Sequence, residues 1–90
     1  MRERRAHERR DVSHRGIVSF DDGKSTVQCQ LVNLSDGGAL IRVAAPHRLP
    51  QTVSLIYDTL DEQVPEVKAA FCMVLRREPR LAALKFLHVA

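Results

Sequence analysis

The sequence predicts an all-β domain, a small antiparallel barrel or sandwich of six short strands. From Arg15 onward, apolar and polar residues alternate in segments separated by Gly-, Pro- and Asp-bearing turns at hairpin spacing. No segment carries the apolar period of a convincing helix. At 90 residues and 44% apolar composition the chain is one domain with enough apolar side chains for one core.

The elements follow in order. Gly16 to Phe20 is a short first strand, closed by the turn Asp21-Asp22-Gly23. Ser25 to Asn33 alternates Val27, Cys29 and Leu31 with Gln28 and Gln30, a half-buried strand with one wet face. Asn33-Leu34-Ser35-Asp36-Gly37-Gly38 then reads as strand end and turn. Ala39 to Val43 is the third strand, with Arg42 directed outward. Ala44 to Gln51 holds Pro46 and Pro50 and is expected to cross one end of the sheet as a loop, with room for a helical turn. Thr52 to Tyr57 is the fourth strand, inward through Val53, Leu55 and Tyr57 or through the complementary Ser54 and Ile56, the first set being the more apolar, and Asp58 to Glu62 is turn-like. Val67 to Arg76 is the fifth, alternating Val67/Ala69/Phe71/Met73/Leu75 against Lys68/Ala70/Cys72/Val74/Arg76; the second face is only partly polar, so this long strand is expected to be covered on both sides or to bend across the barrel. Arg77 to Arg80, with Pro79, is a tight connection. Leu81 to Val89 is the sixth strand, with Leu84 and Phe86 on one face and Lys85 on the other. Closure into a barrel would remove the edges that six short strands otherwise expose.

The charge is unevenly placed. Residues 1–15 carry Arg2, Arg4, Arg5, Arg9, Arg10 and Arg15 against Glu3, Glu8 and Asp11, whereas the rest of the chain is neutral, so the whole net charge of +3 lies on this arm. Every cation of the arm is arginine. Its planar fork binds bidentately and stacks on a base, which lysine cannot do, so an anionic, planar partner is favoured, although charge runs in general are more commonly solvated tails. Arg5 and Arg9 stand four apart and repel each other in a helix. The arm is therefore expected to be flexible until an anion bridges them.

Several classes of function are disfavoured. No apolar run approaches the ~20 residues of a membrane span, and the basic N-terminus lacks the apolar core of a signal peptide, so a cytoplasmic protein is expected. Cys29 and Cys72 lie within apolar alternation and read as buried free thiols. His7, His14, His47 and His88 are scattered, and no metal or cofactor is expected. No Ser-His-Asp set, phosphate loop or paired carboxylates point to an enzyme.

Two motifs remain. Asn33 and Ser35, two apart at a strand end, point to one side and offer an amide and a hydroxyl beside the open backbone of Gly37-Gly38. The arginine pair Arg5-Ala6-His7-Glu8-Arg9 closely precedes the first strand. Together these resemble the PilZ domain, whose motifs RxxxR and [D/N]xSxxG are both complete here, in order, on a six-strand pattern that spans nearly the whole chain. The resemblance implies a six-stranded β-barrel over residues 16–90, with residues 1–15 as the arm that carries RxxxR. It further implies a non-catalytic receptor for the bacterial second messenger cyclic di-GMP. By the same resemblance Arg5 and Arg9 grip guanine and phosphate, and the adjacent Arg4 and Arg10 are candidates for phosphate neutralisation or stacking. Asn33 would face the guanine N1/N2 edge, Ser35 would donate to phosphate or base, and Gly37 and Gly38 would keep the surface clear for the purine. Many relatives carry Asp at the Asn33 position; a carboxylate accepts more strongly, so weaker binding is expected here. Relatives often have an aromatic residue where this chain has Leu75, a glycine where it has Ala82-Ala83, and a C-terminal helix for which Ala90 leaves little room.

A protein of this length, with no expected output domain, would signal through an effector protein, as a monomer or weak dimer. Two alternatives stand beside the receptor: an adaptor that works without nucleotide, and a nucleic-acid module using the arm. Against the latter count the absence of tryptophan and the presence of only one tyrosine and three phenylalanines for base stacking.

Overall fold

The computed structural model describes residues 10–58 and 66–90, with side chains from residue 14 onward. Six strands follow one another: β1 Arg10–Phe20, β2 Ser25–Leu34, β3 Gly38–Arg42, β4 Thr52–Asp58, β5 Val67–Glu78 and β6 Leu81–Val89. A single 3-10 turn, Pro46–Arg48, interrupts the connection from β3 to β4. The strands close into an antiparallel barrel in the order β1-β2-β3-β6-β5-β4, with β4 pairing back onto β1. The barrel thus replaces the choice between barrel and sandwich that alternation had left open.

The first strand departs most from expectation. It begins at Arg10 rather than Gly16, and its added residues pair Arg10 with Leu34 and Asp11 with Asn33. A charged run without apolar alternation gives no sign of a strand, because its pairing partner lies on β2. A bulge between Asp11 and His14 separates this extension from the regular ladder that continues to Phe20.

Turn chemistry closes the hairpins as their residues require. Asp21 and Asp22 adopt positive φ (58° and 55°), as does Gly23 (81°), and the Lys24 N–H bonds to the Asp21 carbonyl at 3.0 Å. At the β5–β6 turn Pro79 is followed by Arg80 at φ 68°, the left-handed position that a type II turn reserves for glycine. The Arg80→Gly variant is accordingly expected to gain roughly 0.5–1 kcal/mol, the relief of left-handed strain less the extra freedom of the unfolded chain. A melting temperature unchanged or lowered would contradict this.

Inside, the barrel is filled by Val18, Leu31, Ile41, Val53, Leu55, Cys72 and Leu84, none more than 3% exposed, with Ala70 and Ala82 between them. Val53, Leu55 and Tyr57 point inward as the sequence predicts. β5 turns Ala70, Cys72 and Val74 inward and leaves Phe71 and Leu75 outside, 46% and 59% exposed. The more apolar face is thus the outer one and is not covered; small inward residues on β5 and β6 leave room for the larger Leu31, Ile41 and Leu55, so interior volume overrides apolar character. Leu75 faces solvent, whereas Ala82 is buried and Ala83 half-buried.

Cys29 and Cys72 are both buried free thiols. Burial pushes Cys29 up to about 11 and Cys72 up to about 12, partly offset by the backbone groups of Gly16 and Leu55 respectively. A thiol that holds its proton longer folded than unfolded stabilises the fold below the unfolded pKa, near 9, and loses that contribution as pH rises toward the folded value. Stability is therefore expected to fall above pH 9 by up to about 1.4 kcal/mol per pH unit and thiol. Denaturant titrations at pH 8, 9 and 10 test this; a Cys72→Ala variant with the same alkaline slope as the parent would refute it.

Candidate functional site

The site is built where β2 hands over to β3. Up to Leu31 the inward residues of β2 alternate regularly, and continued alternation would turn Asn33 into the core. A register shift intervenes. β3 pairs Ile41 with Leu31 and Leu40 with Asn33, which leaves Val32 as an extra residue on β2. Beyond this bulge the inward role passes to Leu34, which packs against the core, and Asn33 falls on the opposite, outer phase. The neighbouring β1 shifts register at the same level, between Asp11 and His14. Bulges on both sides thus aim Asn33 outward.

Ser35 holds the turn together. Its Oγ accepts the Gly37 N–H and donates to the Gly38 carbonyl, both at 3.3 Å, while its own N–H bonds to that same carbonyl at 2.9 Å. From the other side the Phe86 N–H of β6 donates to the Gly37 carbonyl at 2.9 Å. Gly38 stands directly across from Lys85, and a Cβ there would come 2.2 Å from the Leu84 carbonyl oxygen. The motif's second glycine therefore permits the close approach of β3 to β6. The space a side chain would need at Gly38 is filled by β6 backbone and is not an open surface awaiting a purine.

Under the turn lies an aromatic pair. Tyr57 and Phe86 stack with ring centroids 6.1 Å apart and planes 19° from parallel. Burial raises the Tyr57 phenol above its ordinary pKa, and Cys72 and then Asp36 of the turn add to the shift. Lys85, exposed on β6 opposite Gly38, supplies a cation beside the motif. Nothing in the sequence connected Lys85 to the motif, because only the β3–β6 pairing brings them together.

The structure brings Asn33, Ser35, Gly37 and Gly38 into one turn. Arg4, Arg5 and Arg9 lie outside the described residues. Arg10 opens β1, its backbone paired with Leu34. Because Arg10 and Asp11 face Leu34 and Asn33, the arm joins the barrel at the motif itself. Among the described residues no group of three or more His, Cys, Asp or Glu could hold a metal ion, and no helix is long and apolar enough to cross a membrane.

Comparison with solved structures gives a close likeness in architecture to the Bacillus subtilis inhibitor of motility (MotI/DgrA), with a TM-score of 0.78 at 19% sequence identity. The likeness covers 98% of this chain and 44% of that protein, so the chain spans less than half its length. At this identity the comparison speaks for the fold. No curated protein sequence matches the chain. The PilZ domain profile, however, matches residues 3–90. With that match and the closed barrel beneath it, the chain belongs to the PilZ domain family, a family of cyclic di-GMP receptor and adaptor domains.

Proposed function

We propose that this chain is a cyclic di-GMP receptor whose arm closes over the ligand at the β2–β3 turn and so changes the surface offered to a protein partner. One observation carries the reading: β1 pairs Arg10 with Leu34 and Asp11 with Asn33, so the arginine arm is tethered against the motif. Arg9 precedes that pairing by a single residue, and Arg5 is four further back. Each residue adds at most about 3.6 Å of reach, so both guanidinium groups can fold back onto a ligand seated at the turn.

The chemistry suits a guanine dinucleotide. The Hoogsteen edge of guanine presents O6 and N7, which an arginine fork meets with two parallel hydrogen bonds. Its phosphates accept charge-assisted bonds from the same side chains and from Lys85. The Asn33 carbonyl oxygen can accept from the N1/N2 edge. Arm arginines and turn amide thus read different parts of one molecule. Ser35 serves chiefly by keeping that amide and the turn in place.

Calorimetric titration with cyclic di-GMP, cyclic di-AMP and GTP tests the proposal. Cyclic di-GMP is expected to saturate the protein. Cyclic di-AMP presents a donor where guanine presents O6, and is expected to bind at least about tenfold more weakly, the loss of one bidentate base contact. A folded protein indifferent to cyclic di-GMP would end the receptor reading and leave the ligand-free adaptor. Binding without base preference that collapses with added salt would favour the nucleic-acid module.

A further inference from the structure

β3 ends at Arg42, across from Gln30, whereas β2 begins five residues earlier, at Ser25. Over Ser25–Cys29, β2 pairs with β1 on one side, and on the other no strand among the described residues is paired with it. There the chain passes instead as the connection Val43–Leu49. Between this connection and β2 runs a groove of about 870 Å³, lined by residues of both.

The groove has a definite character. Phe20 and Val27, packed against the core, line it together with the buried Val43 and Leu49, so its floor is apolar. Lys24 and Arg48, both exposed, stand on its rims. At the β3 end it adjoins a hollow bearing Arg15, Arg42 and Arg80 against a single carboxylate, Asp58. Asp21 and Asp22 line another hollow, with Thr52 and Ser54, that meets the groove only at Phe20. Its outer wall is held in place: Arg77 Nη2 donates to the Leu49 and Pro50 carbonyls at 3.1 and 3.2 Å, and the Leu49 N–H bonds to the Pro46 carbonyl. An open strand edge, an apolar floor and cationic rims are thus preformed together.

We propose that this groove takes an extended acidic segment of a partner protein, added to the barrel as a strand alongside Ser25–Cys29. An uncovered strand edge offers backbone N–H and C=O groups to an incoming chain, and alternate side chains of that chain face opposite ways. One set sits on Phe20 and Val27 and is apolar; the other meets Lys24, Arg48 and Arg42 and is acidic. The paired length is about five residues, or ~17 Å. A second copy of this chain is the poorer occupant, because the groove's lining holds Lys24 and Arg48 and no carboxylate, so two such edges would meet with like charge and nothing to offset it. The groove stands at the far end of β2 from Asn33, roughly 20 Å along the strand from Val27, so this surface does not depend on nucleotide recognition.

The probe is a short synthetic peptide pool in which Asp or Glu alternates with Val, Ile, Leu or Phe, added to isotope-labelled full chain and followed by amide NMR. Saturable shifts concentrated at residues 25–29 and 43–49 are expected, together with loss of binding when Lys or Arg replaces the acidic positions. N-methylation of alternate peptide amides should abolish binding, since it removes the ladder while keeping the charge. The Lys24→Glu and Arg48→Glu variants, whose own spectra report that they are folded, should each bind about tenfold more weakly, because the reversal replaces an attraction at the rim by a repulsion. Absence of binding by the acidic pool, or equal binding by its N-methylated form, would overturn the proposal. So would concentration-dependent shifts of the same amides without peptide, which would make a second copy the occupant.

Discussion

The Gly38→Ala variant is expected to lose about 3 kcal/mol of folding stability, the upper part of the range for forcing atoms into filled space. The added Cβ would stand 2.2 Å from the Leu84 carbonyl oxygen and 3.3 Å from the Leu84 carbonyl carbon. Neither atom can rotate away, because both belong to the β6 backbone that pairs Ala39 with Leu84. Relief requires β3 and β6 to part, and their pairing from Gly38 to Arg42 is one of the two seams, with β1–β4, that join β1-β2-β3 to β6-β5-β4. Small domains hold only about 5–15 kcal/mol in total, so a loss of this size lowers the melting temperature by more than about 10 °C. Gly23→Ala is the contrasting control. Gly23 has positive φ but nothing within 4 Å of a built Cβ, so its cost is confined to the left-handed backbone, about 1 kcal/mol. Urea midpoints of the two variants check the ordering; a Gly38→Ala variant no worse than Gly23→Ala would show that β3 and β6 have room to give.

That glycine also shows what the sequence could and could not disclose. The β2–β3 turn was legible because Asn33, Ser35, Gly37 and Gly38 are neighbours in the chain, and turn chemistry is local. The inward faces of β2, β3 and β4 were legible because their apolar residues alternate. What could not be read was set by pairing between distant segments. The β6 backbone that demands glycine at 38, the position of Lys85 beside it and the extension of β1 back to Arg10 all depend on register. β5 turned the partly polar face inward: by apolar character Phe71 and Leu75 belong inside before Ala70 and Cys72, and available interior volume placed the smaller set there instead, leaving Val67, Phe71 and Leu75 exposed. The outward aim of Asn33 rests on the bulge at Val32, and a single extra residue against β3 leaves no mark in the alternation of β2.

The largest effect on binding is expected from the arm. Arg5→Ala and Arg9→Ala should each weaken cyclic di-GMP binding by about 10- to 100-fold, the ~1–3 kcal/mol of one bidentate arginine–guanine contact, and the double variant should bring it below detection. Melting temperatures measured beside the parent separate a lost ligand contact from a lost fold. The decisive comparison is Arg9→Lys. Lysine keeps the positive charge but has neither the planar fork nor the stacking face, so at a base-reading position it should restore little of the lost affinity. Full recovery in Arg9→Lys would show that the arm acts as a point charge on phosphate and that guanine is read elsewhere. The turn provides an independent axis: Asn33→Asp should strengthen binding, because a carboxylate accepts from the guanine N1 and N2 donors more strongly than an amide oxygen does. If arm and turn hold the same guanine, the gain from Asn33→Asp should shrink when combined with Arg9→Ala, since a base no longer held by the arm presents its N1/N2 edge less well. Additive effects would mean that the two motifs grip separate parts of the ligand.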